Sequence, residues 1–574
     1  MNNSELFCIF HFACCVALRD ITATTEAEAS ICFSSNADLF EYITNKTNNV
    51  EILACIISNL LGSFFKCFFY VSEISLKKLE DGFPFDASSI KLCSDTEVSD
   101  FYIKVDFSTC YTEECDDRIV LNVLCDIKKY NGSDYYKCPR TILKKTCEFM
   151  KKENIADTVC VGNEIEFFIF DKVNYNLDEY NSYMKVYDRE SFSCKNDLSD
   201  IYRNSDSIIN KSEPSSYKEY CRIPRNDGLI NDDSKKLKKK CGYFATDPYD
   251  TSNMIKLRIC RALNDLNINV QRYHHEVSTS QHEISLKYFD ALKNADNLFI
   301  TKQIIKTTVH AFNRTATFMP KPLVSDNGNG LHCNISLWKN NKNIFFIDDP
   351  STFYLSKESF YFMNGIIKHA RALQAFCNST MNSYKRLVPG FETCQKLFYS
   401  FGSRSAVIRL SLINYSNSSE KRIEFRLPDY VNSPHLVIAA IILAGYDGIK
   451  SKEQPLVPFE SKNEDFFISN IFANYVQNPQ NFQTLTHALK DYNTFHDIKD
   501  NTDFRNFFRC NQPENICFSL AESLDALEKD HEFLTVNGIF KKEMIQEYIK
   551  FKREEIVSYN KYVSPYDYHL YYDC

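Results

Sequence analysis

A short stretch in which acidic and apolar residues alternate constrains this chain most strongly. It reads Val161-Gly-Asn-Glu-Ile-Glu-Phe-Phe-Ile-Phe-Asp171, and its aromatic run favours a β-strand packed against a core. Residues i and i+2 of a strand share a face, so Glu164 and Glu166 are predicted to enter one cleft. Neighbouring carboxylates repel each other and lose hydration there unless a cation compensates them. The stretch therefore predicts a metal-binding strand; the alternative is a solvated edge strand with two exposed acids.

Further candidate metal ligands follow in three later segments. Glu276 and Glu283 are seven residues apart, His332 follows an Asn-Gly-Asn-Gly-Leu run, and Glu424 lies between two arginines. With the two strand acids they make five carboxylates and one imidazole, a hard, oxygen-rich set. Such a set suits Mg²⁺ or Mn²⁺ better than Zn²⁺. The 23 cysteines show no zinc-finger spacing beside these acids.

Five arginines form a second group, of opposite charge. They are Arg386, Arg404, Arg409, Arg422 and Arg426. Guanidinium groups bind phosphate and carboxylate oxygens through paired hydrogen bonds and stay charged at any working pH. Metal ions that bridge phosphates and arginines that neutralise the transferred group are what phosphoryl transfer requires. Taken singly, each arginine has the alternative interpretation of a surface ion-pair partner.

Several long motifs occur in order along residues 37–574. They are Phe85-Asp-Ala-Ser-Ser-Ile90, Asn163-Glu-Ile-Glu-Phe-Phe168, Gly242-Tyr-Phe244, His274-His-Glu-Val277, Ala316-Thr-Phe-Met-Pro-Lys-Pro322, Asn327-Gly-Asn-Gly-Leu-His332, Asn382-Ser-Tyr-Lys-Arg-Leu-Val-Pro-Gly390 and Arg422-Ile-Glu-Phe-Arg426. On these motifs the chain resembles type I glutamine synthetase, the ATP-dependent glutamate–ammonia ligase. The resemblance implies that ATP, L-glutamate and ammonium give L-glutamine, ADP and phosphate through γ-glutamyl phosphate.

The resemblance also implies two metal positions, with two or three Mg²⁺ or Mn²⁺ ions in each active site. The ligands near glutamate would be Glu166, Glu276 and Glu283, and those near the ATP phosphates would be Glu164, His332 and Glu424. Substrate glutamate would be bound by Arg386, Arg426, Asn327 and Gly328. The nucleotide would be contacted by Gln271, the segment from Asn334 to Ser336, Arg409 and Arg422.

Three side chains are candidate catalytic residues by the same resemblance. They are Asp86, Glu392 and Arg404. Arg404 would neutralise phosphate, and Glu392 would lie on a flap that closes over the intermediate. Ammonium would bind and lose its proton in a pocket formed by Asp86, Ser89, Tyr243 and Glu276.

The chain departs from the family pattern at four positions, none of them a metal ligand. Ala87 replaces the usual glycine, Asn163 and Ile165 stand where proline is common, and Gln271 stands where some members have an acid. Activity is therefore expected. Two other functions stay open, a glutamate–amine ligase for larger amines such as polyamines and a catalytically silent structural member of the fold. An ammonium pocket of anions and hydroxyls favours a small cation over a polyamine.

The implied fold is α+β, with a small N-terminal β-grasp domain and a large catalytic domain built on an antiparallel half-barrel sheet. We assign residues 1–36 to an N-terminal extension, 37–138 to the β-grasp domain and 139–574 to the catalytic domain. Residues 172–241 are predicted to be a polar, partly disordered surface insertion. Residues 546–574 are predicted to form a tail for inter-ring contact. The resemblance implies a dodecamer of two hexameric rings, with active sites between neighbouring subunits.

Composition excludes other classes of function. The net charge of −8 argues against nucleic-acid binding, and no apolar run is long enough to cross a membrane. Cytoplasmic location is expected, because the implied reaction needs ATP and glutamate. The apolar segment Leu6–Leu18 is interpreted as part of a packed extension, with a targeting role as the alternative. Helices are predicted at Thr141–Lys152, at Pro434–Gly445 and within Leu520–Tyr559.

Overall fold

The computed structural model describes residues 30–93, 99–115, 118–191, 236–411, 416–453 and 513–571. Most of the predicted extension, residues 1–29, lies outside the described residues, as does the central part of the predicted insertion, residues 192–235. Among the described residues, no helix is long and apolar enough to cross a membrane.

The N-terminal part of the chain forms a seven-stranded sheet. Its strands are β1 (Ser30–Ile31), β2 (Val50–Ser58), β3 (Phe64–Tyr70), β4 (Phe83–Asp86), β5 (Asp100–Val105), β6 (Cys110–Cys115) and β7 (Arg118–Lys129). The long strand β7 is central, because it pairs parallel with β2 and antiparallel with β5 and β6. Helices α1 (Asn36–Thr44) and α2 (Leu76–Asp81) place Leu39 and Leu79 in the core of this sheet.

Strand β2 packs against two hydrophobic cores. Cys55 and Ile57 belong to the core of the N-terminal sheet, whereas Ile56 belongs to the larger core of the following domain. Alternate residues of a strand point to opposite faces, so one strand joins the two cores. The N-terminal sheet is therefore packed against the larger domain along one of its faces.

The larger domain contains twelve strands among its described residues. They are β8 (Thr158–Phe170), β9 (Lys172–Leu177), β10 (Ser182–Tyr187), β11 (Val270–His275), β12 (Gln281–Leu286), β13 (Phe289–Asp290), β14 (Thr315–Thr317), β15 (Leu331–Lys339), β16 (Lys342–Asn343), β17 (Lys396–Phe401), β18 (Ala406–Leu410) and β19 (Ile423–Phe425). Ten of them form one sheet along the path β11-β12-β8-β15-β19-β18-β17, with β13, β14 and β16 attached to it. The pairs along this sheet are antiparallel, as predicted, except at one edge, where β17 and β18 run parallel.

Helices pack on this sheet and extend to the C-terminus. They are α3 (Pro139–Lys152), α4 (Asn253–Asp265), α5 (Ala291–Ala311), α6 (Lys357–Cys377), α7 (Met381–Arg386), α8 (Pro434–Ser451), α9 (Leu520–Lys529), α10 (Glu532–Thr535), α11 (Lys542–Asn560) and α12 (Pro565–Tyr571). The predicted helical region after Leu520 therefore divides into α9, α10 and α11.

Helix α8 continues past Gly445, where the sequence predicted its end. A Cβ atom at Gly445 would lie 2.1 Å from the Phe362 ring of α6, so this glycine allows close helix packing. At the same crossing, a Cβ atom at Gly448 would lie 2.0 Å from the Tyr361 carbonyl oxygen. The glycines of α8 thus serve the contact between two helices and do not cap the helix.

The described ends of the predicted surface insertion are partly buried. Strands β9 and β10 form a separate antiparallel hairpin, and Glu190 follows it with no exposed surface. At the other end of the stretch, the backbone N–H of Lys240 donates to a carboxylate oxygen of Asp326 at 3.1 Å. Both ends of this stretch therefore pack on the catalytic domain.

Candidate active site

Strand alternation separates the core from a polar cleft on the catalytic sheet. On β8, Ile165 and Phe167 are fully buried in the core, and the intervening residues face the opposite side. The same alternation on β15 buries Cys333 and Ile335 and turns His332 toward the cleft. Each strand therefore places its polar side chains on the cleft face, because its apolar side chains occupy the face that packs on the core.

Strand register brings the predicted ligands into a staggered row across four strands. Glu283 on β12 is paired with Glu166 on β8, and Glu164 on β8 is paired with His332 on β15. Glu424 on β19 is paired with Asn334, two residues beyond His332 on the same face of β15. Paired residues on adjacent strands lie about 5 Å apart, the distance at which several side chains can share one cation.

Glu164, His332 and Glu424 form the first of two clusters whose ligand atoms lie within 4.8 Å of one another. His332 Nδ1 lies 3.1 Å from a Glu164 oxygen and 3.6 Å from a Glu424 oxygen. This is the set that the resemblance assigns to the ion near the ATP phosphates, and we call it the phosphate-side cluster.

Cations already balance the carboxylates of the phosphate-side cluster. Arg409 Nη1 donates to Glu424 at 2.7 Å, and Arg426 Nη1 donates to its other oxygen at 2.6 Å. Burial alone would raise the pKa of Glu424, but Arg426 and His332 lower it below its usual value. Likewise, burial would raise the pKa of Glu164, and the hydrogen bond and charge of His332 lower it. Both carboxylates are thus held ionised.

His274, Glu276 and Glu283 form the second cluster, which we call the glutamate-side cluster. His274 Nε2 lies 3.4 Å from Glu283, and its Nδ1 lies 3.7 Å from Glu276. The resemblance assigned Glu166 to this position in place of His274. The Glu166 carboxylate accepts hydrogen bonds from the Gly330 N–H at 2.8 Å and from Gln281 at 3.2 Å, between the two clusters.

The glutamate-side cluster has less compensating positive charge than the phosphate-side cluster, with Arg272 Nη2 lying 3.2 Å from Glu283. Burial and the nearby charges of Glu166 and Glu283 raise the pKa of Glu276 to about 9. Burial would also raise the pKa of Glu283, but its hydrogen bond with His274 holds that value at about 2. A carboxyl group that stays protonated because of neighbouring carboxylates is one that a divalent cation would ionise. The oxygen-rich donor set therefore fits Mg²⁺ or Mn²⁺.

The sequence carries a signal for His274 as a metal ligand. His274 and Glu276 have the same i, i+2 spacing as Glu164 and Glu166. Strand β11 also pairs His274 directly with Glu283 of β12. Pairing of β11 with β12, which the sequence alone did not specify, places the imidazole beside the acids.

A second pair of residues missed by the sequence analysis lies beneath the glutamate-side cluster. The fully buried carboxylate of Glu190 accepts from the Ser280 N–H at 2.8 Å and lies 3.0 Å from His275 Nε2. The other imidazole nitrogen of His275 lies 2.7 Å from the Glu276 carbonyl oxygen. Glu190 and His275 thus fix the backbone that carries Glu276.

Arg386 lies against the glycine-containing loop that the resemblance assigns to substrate glutamate. Its guanidinium donates to the Leu427 carbonyl at 3.1 Å and is buried. A Cβ atom at Gly330 would lie 2.7 Å from Arg386 Nη2, and one at Gly328 would lie 3.3 Å from its Cγ. Asn327 is buried in the same loop. Glycine at position 330 therefore leaves room for the guanidinium, and at position 328 a Cβ atom would also lie 2.1 Å from the Pro320 carbonyl oxygen.

Part of the predicted nucleotide set comes together on the phosphate side. Arg422 Nε donates to the Asn334 side chain at 3.1 Å, and Ser336 follows on the same face of β15. Gln271 is exposed at an irregularity of β11, where pairing with β12 shifts between Val270 and Arg272. The described contacts of Gln271 do not join it to the other predicted nucleotide residues.

Only some of the residues predicted to form the ammonium pocket come together within one chain. Tyr243 stacks on Phe244 at 4.1 Å between ring centroids and meets the His274 ring edge-on at 5.6 Å. Asp86, at the end of β4, and Ser89, which follows it, are exposed, and Asp86 accepts from the Ser88 N–H at 2.8 Å. Among the described residues, no hydrogen bond or ion pair joins Asp86 to either cluster.

Glu392 and Arg404 pair with each other at the mouth of the cleft. A guanidinium N–H of Arg404 donates to the Glu392 carboxylate, and both side chains are about half exposed. Gly390 has a φ of +89° and Glu392 a φ of +56°, so the segment turns sharply and projects from the domain. This segment, residues 389–392, is the flap of the sequence prediction.

Comparisons with known proteins match almost the whole chain. The family model described as the glutamine synthetase catalytic domain matches residues 136–514 and 497–571. The glutamine synthetase beta-Grasp domain matches residues 49–130, which span strands β2 to β7. The predicted α+β architecture, a β-grasp domain followed by a larger domain of sheets and helices, is confirmed.

Individual relatives agree over most of their length. A Rhizobium meliloti glutamine synthetase is 33% identical over 493 residues, which cover 86% of this chain and 90% of the relative. A 3-hydroxylaminophenol mutase of Cupriavidus pinatubonensis is 32% identical and covers 94% of this chain and 99% of its own length. The solved structure of a Plasmodium falciparum glutamine synthetase is 77% identical, with a TM-score of 0.83 over 95% of this chain and 100% of that chain.

Proposed function

This chain belongs to the glutamine synthetase family, and we infer that it joins ammonia to L-glutamate at the expense of ATP. The products are L-glutamine, ADP and phosphate. Enzymes of this family use ATP and a divalent metal ion. One observation carries the inference within the structure: a row of acids and one imidazole across adjacent strands, with arginines at its phosphate-side end.

The reaction needs an activated carboxylate, because a free carboxylate is a poor acyl donor. A γ-carboxylate oxygen of glutamate attacks the terminal phosphorus of ATP, ADP leaves, and γ-glutamyl phosphate forms. The bound divalent ions would neutralise phosphate and carboxylate charge, held by the two clusters with Glu166 between them. Arg404, Arg409 and Arg422 are proposed to bind phosphate oxygens. Contacts of Arg409 with Glu424 and of Arg422 with Asn334 support this role, and Arg404 pairs with Glu392 of the flap.

Arg386 and Arg426 are proposed to hold the carboxylates of glutamate. Arg386 is buried beside Gly328 and Gly330, so its guanidinium has one fixed direction. Asn327 of the same loop is proposed to lie near the substrate amino group. A fixed guanidinium orients the γ-carboxylate for attack with little loss of entropy.

Ammonium is proposed to enter between Tyr243 and the acids of the glutamate-side cluster. Asp86 and Ser89 of a neighbouring subunit would complete the pocket, and Asp86 would accept a proton from ammonium. Ammonia then attacks the acyl carbon, the C–O bond to phosphate breaks, and glutamine forms. Glu392 on the flap would shield the acyl phosphate from water.

Two alternatives are less well supported. A glutamate–amine ligase would need space for an organic chain, and Tyr243 with the His274 ring narrows the pocket. The relative described as a 3-hydroxylaminophenol mutase shares the fold at 32% identity, so overall similarity alone does not separate the two activities. The ligand row is complete in this chain, which argues against a silent structural member.

Several finer features are proposed on the family resemblance. These are Mg²⁺ or Mn²⁺ as the ions, a cytoplasmic location, and a dodecamer of two hexameric rings. The exposed Asp86 supports a site shared between subunits. Exposed aromatic side chains at Tyr562 and Tyr566 support a C-terminal contact between rings.

A direct assay separates these functions. Phosphate release from ATP is measured with glutamate and with ammonium, methylamine, ethanolamine or putrescine, and Glu424→Gln serves as the inactive control. We expect phosphate and glutamine in equal amounts with ammonium and much slower turnover with the amines. Faster turnover with putrescine would identify a polyamine ligase. Conversion of 3-hydroxylaminophenol without ATP, at a rate above that of ammonium ligation, would identify a mutase.

A further inference from the structure

The flap residue Phe391 lies between two lysine ammonium groups. Lys321 Nζ lies 3.4 Å from the centroid of the Phe391 ring, and Lys240 Nζ lies 4.3 Å from it. Lys240 Nζ also donates a hydrogen bond to the Gly390 carbonyl oxygen at 2.8 Å. Both distances to the ring are within the range of a cation–π contact. The flap is thus bound through its ring and through its backbone.

Both lysines are anchored on one buried residue, Asp326. The backbone N–H of Lys240 donates to an Asp326 carboxylate oxygen at 3.1 Å, and Lys321 Nζ donates to the Asp326 carbonyl oxygen. The other carboxylate oxygen of Asp326 accepts from the Thr279 N–H at 3.2 Å. Thr279 belongs to the loop that follows Glu276. The contacts of Phe391 therefore connect the flap to the loop of the glutamate-side cluster.

We propose that Lys240 and Lys321 are positioning residues that hold the flap over the active site through their cation–π contacts with the ring of Phe391. This proposal deepens the proposed function and rests on the assigned role of Glu392. Neither lysine needs to touch substrate, because each acts through Phe391 on the residue that follows it. Burial and the positive charge of Lys240 lower the pKa of Lys321 to about 8, against the opposing effect of the Asp326 charge. A weakly hydrated ammonium binds an aromatic face more strongly than a fully solvated one.

Lys240→Met is the informative variant, because it removes the charge and keeps the length of a solvent-exposed side chain. Lys239→Met is the matched control, since Lys239 is the exposed neighbour and donates to Ser325 outside the flap. Lys240→Arg is the rescue variant, because a guanidinium can both donate to Gly390 and lie on an aromatic ring. Phe391→Leu removes the aromatic ring that both lysine ammonium groups contact.

The first readout is hydrogen–deuterium exchange of peptides that cover residues 387–394, measured without substrates. We expect exchange about three- to tenfold faster in Lys240→Met and Phe391→Leu, the effect of losing an exposed cation–π contact. Lys239→Met and Lys240→Arg should match the unmodified protein. Unchanged exchange in Lys240→Met would overturn the proposal.

The second readout is the ratio of phosphate released to glutamine formed. Lys240→Met and Phe391→Leu should raise this ratio, because water reaches the acyl phosphate when the flap opens, while KM for ATP stays within about twofold. Lys240→Arg should restore a ratio near one. Faster exchange with an unchanged ratio would support the contact and overturn the shielding role of Glu392. Glutamine formation by the unmodified protein tests the proposed function separately.

Discussion

At the scale of single residues, the two acidic clusters differ in what balances their negative charge. In the phosphate-side cluster, Glu424 is paired with both Arg409 and Arg426, and His332 faces Glu164. In the glutamate-side cluster, burial and neighbouring acids raise the pKa of Glu276. A cation that enters the phosphate-side cluster competes with two guanidinium groups for Glu424, whereas the glutamate-side cluster has a longer contact of 3.2 Å between Glu283 and the half-exposed Arg272.

We therefore predict two Mn²⁺ affinities in the protein without nucleotide, with tighter binding at the glutamate-side cluster. Glu283→Gln should weaken Mn²⁺ binding at the tighter, glutamate-side cluster by about 10- to 100-fold. Glu424→Gln should weaken Mn²⁺ binding at the phosphate-side cluster. Calorimetric titration with Mn²⁺ measures both, and Glu420→Gln, an exposed acid outside the clusters, is the control. Loss of the tighter Mn²⁺ binding in Glu424→Gln would contradict its assignment to the glutamate-side cluster.

At the scale of elements, strand alternation was predictable and strand pairing was not. The apolar residues Ile165 and Phe167 identified β8 and put Glu164 and Glu166 on one face. Period-two patterning fixes faces, but neighbours in a sheet depend on contacts distant in sequence. His274 was missed for that reason, because its place beside Glu283 follows from pairing of β11 with β12.

Helix ends show a similar limit of sequence reasoning. The start of α8 at a proline was predictable, since proline suits the first helical position, whereas α3 begins at Pro139, two residues before its predicted start at Thr141. The end of α8 was predicted at Gly445, but this glycine is required by the Phe362 ring of another helix. A local rule for helix caps cannot anticipate a packing contact made across the domain.

One element-scale contact joins the two domains through buried charge. Arg140 of α3 lies 2.8 Å from Asp106, 3.1 Å from Asp126 and 2.9 Å from Asp296. Lys144 on the same helix donates to Asp106 at 3.0 Å. Burial alone would raise the pKa values of Asp106 and Asp296. The neighbouring cations, Arg140 above all, hold both pKa values well below their usual range.

This junction predicts a loss of stability in acid. Because the folded pKa values lie below the unfolded value of about 3.9, the stabilisation is complete above that pH. It declines as the pH falls toward the folded values. Arg140→Met should lower the free energy of unfolding at pH 7 by about 3–5 kcal/mol and lose less stability between pH 5 and pH 3 than the unmodified protein.

Urea unfolding at a series of pH values measures this effect. Lys145→Met, which removes a half-exposed pair with Asp134, is the matched control and should change stability little. Identical pH dependence in Arg140→Met and the unmodified protein would show that the junction does not determine the response to acid.

At the scale of the whole molecule, the proposed site is incomplete in one chain. Strand β4 presents Asp86 to solvent at the edge of the N-terminal domain, away from contacts with the clusters of its own chain among the described residues. A shared active site requires a second copy, which is consistent with a closed ring of subunits. The sequence implied this arrangement through family resemblance and not through its physical pattern.

A mixing experiment tests the shared site. Asp86→Ala and Glu424→Ala subunits should each be inactive alone, and co-assembled rings should recover activity at about a quarter of their sites when mixed equally. Each recovered interface pairs an intact Asp86 with an intact metal cleft. Native mass spectrometry confirms co-assembly. Confirmed mixed rings without activity would place Asp86 and the clusters of one chain in the same site.

The central claim is that ATP activates the γ-carboxylate of glutamate before ammonia attacks it. Glutamate with both γ-carboxylate oxygens labelled with ¹⁸O is converted to glutamine, and the released phosphate is analysed by mass spectrometry. The account predicts one ¹⁸O atom in each phosphate, because the oxygen that bridges carbon and phosphorus leaves with the phosphoryl group. Phosphate without ¹⁸O, while glutamine is formed, would contradict an acyl phosphate intermediate.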